Sequence, residues 1–157
     1  MSLRVGIGVD AHTFEDGVPL VLAGVGFESP RGLSGHSDGD VITHALIDAI
    51  LGAAGLGDIG SLFPSDTSTP AGISSLELLR DAVARVRGAG YVVVNADCVL
   101  IGEEPRISSR RAEMSEALSA VVGASVNVRA TTTDGLGFTG RREGLAAQVI
   151  ALVESSL

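Results

Sequence analysis

The sequence predicts one layered α/β or α+β domain over residues 1–157, with helices packed on a single sheet. Three observations carry this. β-branched runs alternate with amphipathic helical segments, as in SSLELLRDAVARVRGAG followed by YVVVNADCVLIG and SSRRAEMSEALSAVVG followed by SVNVRATTT. Apolar residues make up 45% of the chain, enough to bury a core without disulfides. No internal repeat, low-complexity tract or linker divides it.

Taken in order, LRVGIGVD reads as a buried first strand, and HTFEDGVP after it as a turn. PLVLAGVGF reads as the next strand. From Ser37 to about Ala54, apolar Val41, Ala45, Ile47, Ile50 and Leu51 approximate a helical stripe. Ser37 and Asp38 suit its N-cap, and Asp40 suits the positive end of its dipole. The glycines of LGDIGSLFPSD end that helix in a loop. SSLELLRDAVARVRGAG has a Ser cap, apolar Leu79, Val83 and Val86, an arginine-rich last turn and a terminal glycine. YVVVNADCVLIG is a strand, SSRRAEMSEALSAVVG a second capped helix, and SVNVRATTT an alternating strand. The closing EGLAAQVIALVESSL fits a helix or a buried strand, and its alanine and leucine content selects helix for 144–154.

Composition narrows the function. With 19 acidic and 11 basic residues the net charge is −8, which repels a phosphate backbone. Aromatics supply 3% and tryptophan is absent, so base-stacking platforms are scarce and nucleic-acid binding is not expected. A small anionic ligand needs local positive charge from a metal, an arginine or a helix N-terminus. The single cysteine, Cys98, sits in an apolar run and reads as a buried, inert thiol of a reducing compartment. MSLRVGIGVDAH is too short an apolar run for a signal peptide, and no stretch nears the ~18 apolar residues of a membrane span. A cytoplasmic protein that does not engage a membrane is expected. The high apolar content also points to surface buried between subunits.

Two constellations carry chemistry. Asp10 and His12, two apart on a strand, project from one face about 7 Å apart. With His44 they make an Asp, His, His set suited to zinc with one open position, the alternative being three unrelated polar residues at element ends. All three histidines of the chain, His36 included, fall in or beside this cluster. Asp48, one turn after His44, is a partner for its ring, a ligand for substrate hydroxyls or a solvated carboxylate. GIGVDA matches the dinucleotide pattern G-x-G-x-x-A, but no helix follows it, so its glycines are assigned to close backbone approach. In RATTTDGLGFTGRREG, hydroxyls, free N–H groups and guanidinium groups suit phosphate oxygens, and Asp134 suits Mg²⁺ against a diphosphate. The plain alternative there is a polar hairpin loop, as GDIGSLFPSD and IGEEPR are plain connections by default.

On the runs GHSDGDVITHALIDAILGAAGLGDIGSLFP and ATTTDGLGFTGRREG, with the D-x-H element in front, the chain resembles the 2-C-methyl-D-erythritol 2,4-cyclodiphosphate synthase family over essentially its whole length. The resemblance implies an α+β fold, chorismate-mutase-like or ferredoxin-like. One mixed sheet would carry helices on one face, and sheets would face the three-fold axis of a homotrimer with shared active sites. It also implies that the last segment is a strand. Asp10, His12 and His44 would hold zinc or another divalent transition metal, and Asp134 a Mg²⁺ or Mn²⁺ bound with the substrate diphosphate. The implied reaction turns 4-diphosphocytidyl-2-C-methyl-D-erythritol 2-phosphate into the cyclic diphosphate and CMP.

By the same resemblance, His36 and Thr132 stabilise the transition state and Ser37 contacts the 2-phosphate. Asp58, Ile59 and Gly60 would touch the ribose and methylerythritol. Gly102, Pro105 and Arg106, with Ala130, Thr131, Thr132 and Thr133, would form the cytidine and phosphate pocket. Phe138 and Arg141 match an axial cavity proposed to take isoprenoid diphosphates. Three departures stand out. SDTST after Phe63-Pro64 replaces a D-T-D pattern, Arg110-Arg111 replaces a proline-containing loop in a shortened segment, and Gln148 stands where an acidic residue is common. Two rivals are a catalytically silent nucleotide- or isoprenoid-diphosphate-binding trimer and a zinc phosphohydrolase. The intact His36, Thr132 and Asp134 argue against the first, since binding alone needs no such groups.

Overall fold

The computed structural model describes residues 2–156, which form seven strands and five helices. The first strand, β1 (Leu3–Asp16), runs 14 residues, through the segment expected to turn. Its end is held by pairing: Phe14 to Asp16 lie antiparallel to β4 (Arg31–Leu33), and the chain turns only at Gly17, where φ is 75°. PLVLAGVGF is not one strand but a hairpin of β2 (Leu20–Leu22) and β3 (Val25–Phe27). Ala23 and Gly24 both have positive φ, the tight-turn geometry that two-residue hairpins favour.

Residues 144–155 form β7 (Gly144–Ser155), a strand rather than the helix that composition selects. It pairs antiparallel with β1 on one side and with β5 (Tyr91–Ile101) on the other. Its ladders to β1 and β5 satisfy the backbone on both edges, and this pairing overrides the helix propensity of alanine and leucine. β6 (Ser125–Thr131) adds in parallel to β5, so the five-stranded sheet β4-β1-β7-β5-β6 is mixed and the fold is α+β.

Helices cover one face. α1 (Val41–Ala54) lies on β1 and β7, α3 (Ser75–Gly88) packs beside it, and α4 (Arg111–Val122) lies on β6. α1 sits close because Gly6 and Gly8 face it: a Cβ on Gly8 would lie 1.8 Å from Ala45 O, and one on Gly6 2.0 Å from Ala49 O. Ala45, Ala49 and Ala53 repeat every four residues, so the helix presents its own small side chains to the glycine strand.

Asp40, rather than Ser37 or Asp38, is the N-cap of α1. Its fully buried carboxylate accepts from Thr43 N and Thr43 Oγ1, and from Ala23 N and Gly24 N at 2.8 and 2.7 Å. One side chain therefore caps the helix and clamps the β2–β3 turn. Gly55 in the left-handed region ends α1. LGDIGSLFPSD contains a one-turn helix, α2 (Ile59–Leu62), started by a reciprocal pair of Asp58–Ser61 hydrogen bonds. A second one-turn helix, α5 (Gly137–Gly140), lies within RATTTDGLGFTGRREG.

The other face of the sheet is bare. Leu3, Val5, Ile7, Val9 and Ile150 alternate onto it and are each more than half exposed. Cys98 is buried, and burial pushes its thiol up to about 12. Among the described residues no helix is long and apolar enough to cross a membrane.

Candidate functional site

The alternation that points Gly6 and Gly8 at α1 points Asp10 and His12 the same way, towards His44 in its first turn. Asp10 Oδ2 lies 2.7 Å from His12 Nε2 and 3.3 Å from His44 Nδ1, and those two nitrogens are 3.2 Å apart. His12 Nδ1 donates to Ser34 O at 2.7 Å, which leaves Nε2 facing the cluster. Burial opposes the charge of Asp10, but the two imidazoles outweigh it and hold the carboxyl at about 2. Burial likewise opposes the charge of His12, and Asp10 beside it raises its pKa overall.

These residues fit a metal ion. Asp10 Oδ2 is buried yet makes no hydrogen bond of acceptable geometry, despite the short contacts around it. A tetrahedral ion with bonds of about 2.0–2.1 Å needs ligand edges of about 3.3–3.4 Å. Two of the three separations are already near that value, and the third has to open slightly. One carboxylate and two imidazoles are a donor set for zinc or a similar transition metal.

The cluster lines a pocket together with His36, Ser37, Ile59 and Gly60, so the structure brings those expected site residues to it. Ser37 Oγ lies 2.9 Å from His44 Nε2, and His36 Nε2 donates to Thr69 O at 2.5 Å. Ser65 also lines the pocket, whereas Asp66 bonds within its own loop, accepting from Ser68 N. Asp58 is occupied at the start of α2, accepting from Ser61 N at 2.8 Å. Asp48 is the partner not of His44 but of Ile59, whose N–H it accepts at 2.7 Å. Burial raises the Asp48 carboxyl while that N–H opposes the shift. Asp48 thus supports the one-turn helix α2, which carries Ile59 and Gly60.

A second pocket gathers Gly102, Pro105, Arg106, Ala130, Thr131 and Thr132, and shares no lining residue with the first. Arg111 and Arg142 also line it. Each belongs to an arginine pair noted in the sequence, Arg110-Arg111 as a departure from the family pattern and Arg141-Arg142 as guanidinium groups suited to phosphate, and only the fold says which member of each pair faces the pocket. Glu104 pairs with Arg31 at 3.0 Å and Glu103 accepts from Gly135 N, while Arg106 and Arg142 form no ion pair among the described residues. This pocket therefore carries guanidinium groups free to meet an anion.

Above it, Thr132 Oγ1 donates to Asp134 Oδ1 at 3.2 Å, and Asp134 is in the left-handed region with φ 53°. Thr133 Oγ1 donates to Leu136 O and contacts Thr139 Oγ1, so its hydroxyl is engaged inside the loop. Phe138 lines a third hollow beside Ala11 and His12, and Arg141 Nε donates to Glu143 Oε2 at 2.5 Å.

The fold and site define an α+β protein with a candidate Asp/His/His metal centre lining one pocket and a separate, arginine-lined second pocket. The chain belongs to the YgbB family, whose profile matches residues 3–154. It is 49% identical over 158 residues to the 2-C-methyl-D-erythritol 2,4-cyclodiphosphate synthase of Cutibacterium acnes, covering 100% of this chain and 94% of that one. It is 51% identical to the synthase of the same name from Rubrobacter xylanophilus, covering 98% and 96% of the two chains. A solved structure of a 2C-methyl-D-erythritol-2,4-cyclodiphosphate synthase in a CDP-bound form matches with a TM-score of 0.87 and 35% identity, over 96% of this chain and 100% of that one.

Proposed function

We propose that this chain converts 4-diphosphocytidyl-2-C-methyl-D-erythritol 2-phosphate to 2-C-methyl-D-erythritol 2,4-cyclodiphosphate and CMP, the reaction of a phosphorus–oxygen lyase of isoprenoid precursor synthesis. The observation that carries this is the Asp10, His12 and His44 cluster with its orphaned carboxylate oxygen, in a chain about half identical to synthases of that name.

Asp10, His12 and His44 would hold zinc or another divalent transition metal, and Asp134 a Mg²⁺ or Mn²⁺ arriving with the diphosphate. Bound there, these cations supply positive charge that lets two anionic phosphates approach. The nucleophile, the 2-phosphate, is already an anion, so no general base is needed. Ser37 offers its hydroxyl to that phosphate, and His36, steadied by the Thr69 carbonyl, aligns the diphosphate. Ile59 and Gly60 present backbone to the methylerythritol, with Asp58 beside them for the ribose. Thr132 stabilises the phosphate being transferred, and Thr131 and Thr133 shape the loop that holds it. Gly102, Pro105, Arg106 and Ala130 form the cytidine pocket, a reading supported by the CDP-bound relative. Fixed geometry and charge carry the rate.

The assembly we propose is a homotrimer with sheets facing its axis and each active site shared between neighbours. Two observations support it: the bare apolar face of β1 and β7, and the separation of the two pockets within one chain. Phe138 and Arg141 would then border an axial cavity able to take an isoprenoid diphosphate, provided the Arg141–Glu143 pair opens. We place this one-domain protein in the cytoplasm.

Incubation of the purified protein with the cytidyl substrate tests the reading. CMP and a cyclic diphosphate are expected, and both should vanish with a chelator and return with zinc plus magnesium. A product heavier by one water overturns cyclisation in favour of hydrolysis, and no CMP overturns the enzyme reading.

A further inference from the structure

We propose that Ser75 and Asp38 are positioning residues that fix the tautomer and aim of His44, so that its Nδ1 faces the metal centre with a free lone pair. The inference rests on the metal centre proposed above and extends it to residues in α3.

The protons around His44 can be counted. Ser75, the first residue of α3, is fully buried, with its Oγ 2.8 Å from His44 Nε2. The same Oγ donates to Asp38 Oδ1 in a short hydrogen bond, and Asp38 Oδ2 accepts from Ser75 N at 3.0 Å. Asp38 Oδ1 also accepts from Asp40 N at 3.1 Å. Every donor around Asp38 is thus aimed at a group that only accepts when ionised. A serine hydroxyl has one proton, and here it is given to Asp38. Only lone pairs remain on Ser75 Oγ to meet His44, so the contact is attractive only if His44 Nε2 carries the hydrogen. Ser37 Oγ, 2.9 Å from the same nitrogen and 3.5 Å from Ser75 Oγ, accepts alongside it.

With the proton on Nε2, Nδ1 of neutral His44 is bare, and it is the atom 3.3 Å from Asp10 Oδ2 and 3.2 Å from His12 Nε2. His12 reaches the same state by the opposite route, giving its Nδ1 proton to Ser34 O. Lone pairs from three side chains then converge within 3.3 Å with no proton assigned between them, an arrangement that a cation relieves. Asp38 acts through Ser75, 37 residues further along the chain, while also starting α3, whose N-cap residue Ser74 makes no side-chain cap bond.

Long-range ¹H–¹⁵N spectra of the metal-stripped wild-type protein should show neutral His44 as the Nε2–H tautomer, and zinc competition against a fluorescent chelator should read the consequence. Ser75→Ala is expected to weaken zinc binding about tenfold or more, within the usual 10–100-fold for partners of ligating histidines. Ser75→Thr, which keeps the hydroxyl, should stay within about twofold of wild type. If Ser75→Ala does not fold, Ser75→Cys, a weak acceptor, takes its place. An Nδ1–H tautomer in the wild type, or unaltered zinc affinity in the alanine or cysteine variant, overturns the inference. Wild-type protein that binds no zinc at all overturns the metal centre itself, a distinct failure.

Discussion

Around His44 the polar contacts reach across the fold, to Ser37, to Ser75 on α3 and through it to Asp38, with Ser34, just after β4, holding His12. Around Thr132 and Asp134 they stay inside one exposed loop: Thr132 with Asp134, Thr133 with Leu136 and Thr139, and one outside tie to Glu103. The first region is held by buried and half-buried partners on several elements. The second has little beyond its own turn to hold it, as suits a segment completed by substrate or by a neighbouring chain. Placing metal ligands demands the first kind of construction, and closing on a nucleotide tolerates the second.

Breaking the rigid side should have the largest effect. Gly8→Val has no room against Ala45 O, so α1 must lift from β1; a loss of about 3 kcal/mol or more in urea unfolding is expected, with loss of zinc binding. An unchanged midpoint would mean that the close approach is not needed. His44→Ala should lose zinc and cyclisation together, on the order of 10³-fold or more in rate, while the molar mass read by light scattering stays at the wild-type value. Cyclisation retained in that variant refutes the ligand assignment.

Smaller effects belong to the loop side. Thr132→Ala should lower kcat by about 10²-fold and leave zinc affinity at the wild-type value, since the two pockets share no residue. Coupled losses would show that the regions are not independent. Arg142→Gly, chosen because Arg142 has a positive φ that glycine adopts freely, should raise KM for the cytidyl substrate about three- to tenfold with kcat little changed. A change in kcat alone would place Arg142 with the chemistry instead. Last, Cys98 should not react with an aromatic disulfide reagent at pH 8 while the protein is folded, because its buried thiol is held near 12; fast labelling of native protein would contradict its position in the core.

Much of this was legible locally. The D-x-H spacing and the helix start that carries His44 name the candidate metal cluster, and GIGVDA without a following helix points to close backbone approach, which the Gly6 and Gly8 contacts with α1 bear out. What stayed hidden depends on partners remote in sequence. Asp40 looks like a helix-dipole residue, but its other ligands are the amides of Ala23 and Gly24. HTFEDGVP carries turn residues, yet β4 recruits Phe14 to Asp16 into a strand. Asp48 shares a helix with His44, and only the fold of the next loop hands it to Ile59.

The sequence by itself determined the inventory of chemistry and its short spacings: an acidic chain poor in aromatics, a D-x-H element on the first strand, two histidines near one helix start, and a threonine- and glycine-rich loop ending in arginines. Tertiary structure alone decided that residues 144–155 are a strand between β1 and β5, that the two pockets stand apart, and that Asp38 reaches Ser75 and through it His44. The reason is physical. Propensity and periodicity act over a few residues, whereas strand pairing and buried hydrogen bonds join groups tens of residues apart, and a proton on one imidazole is settled only when all of its partners are in place.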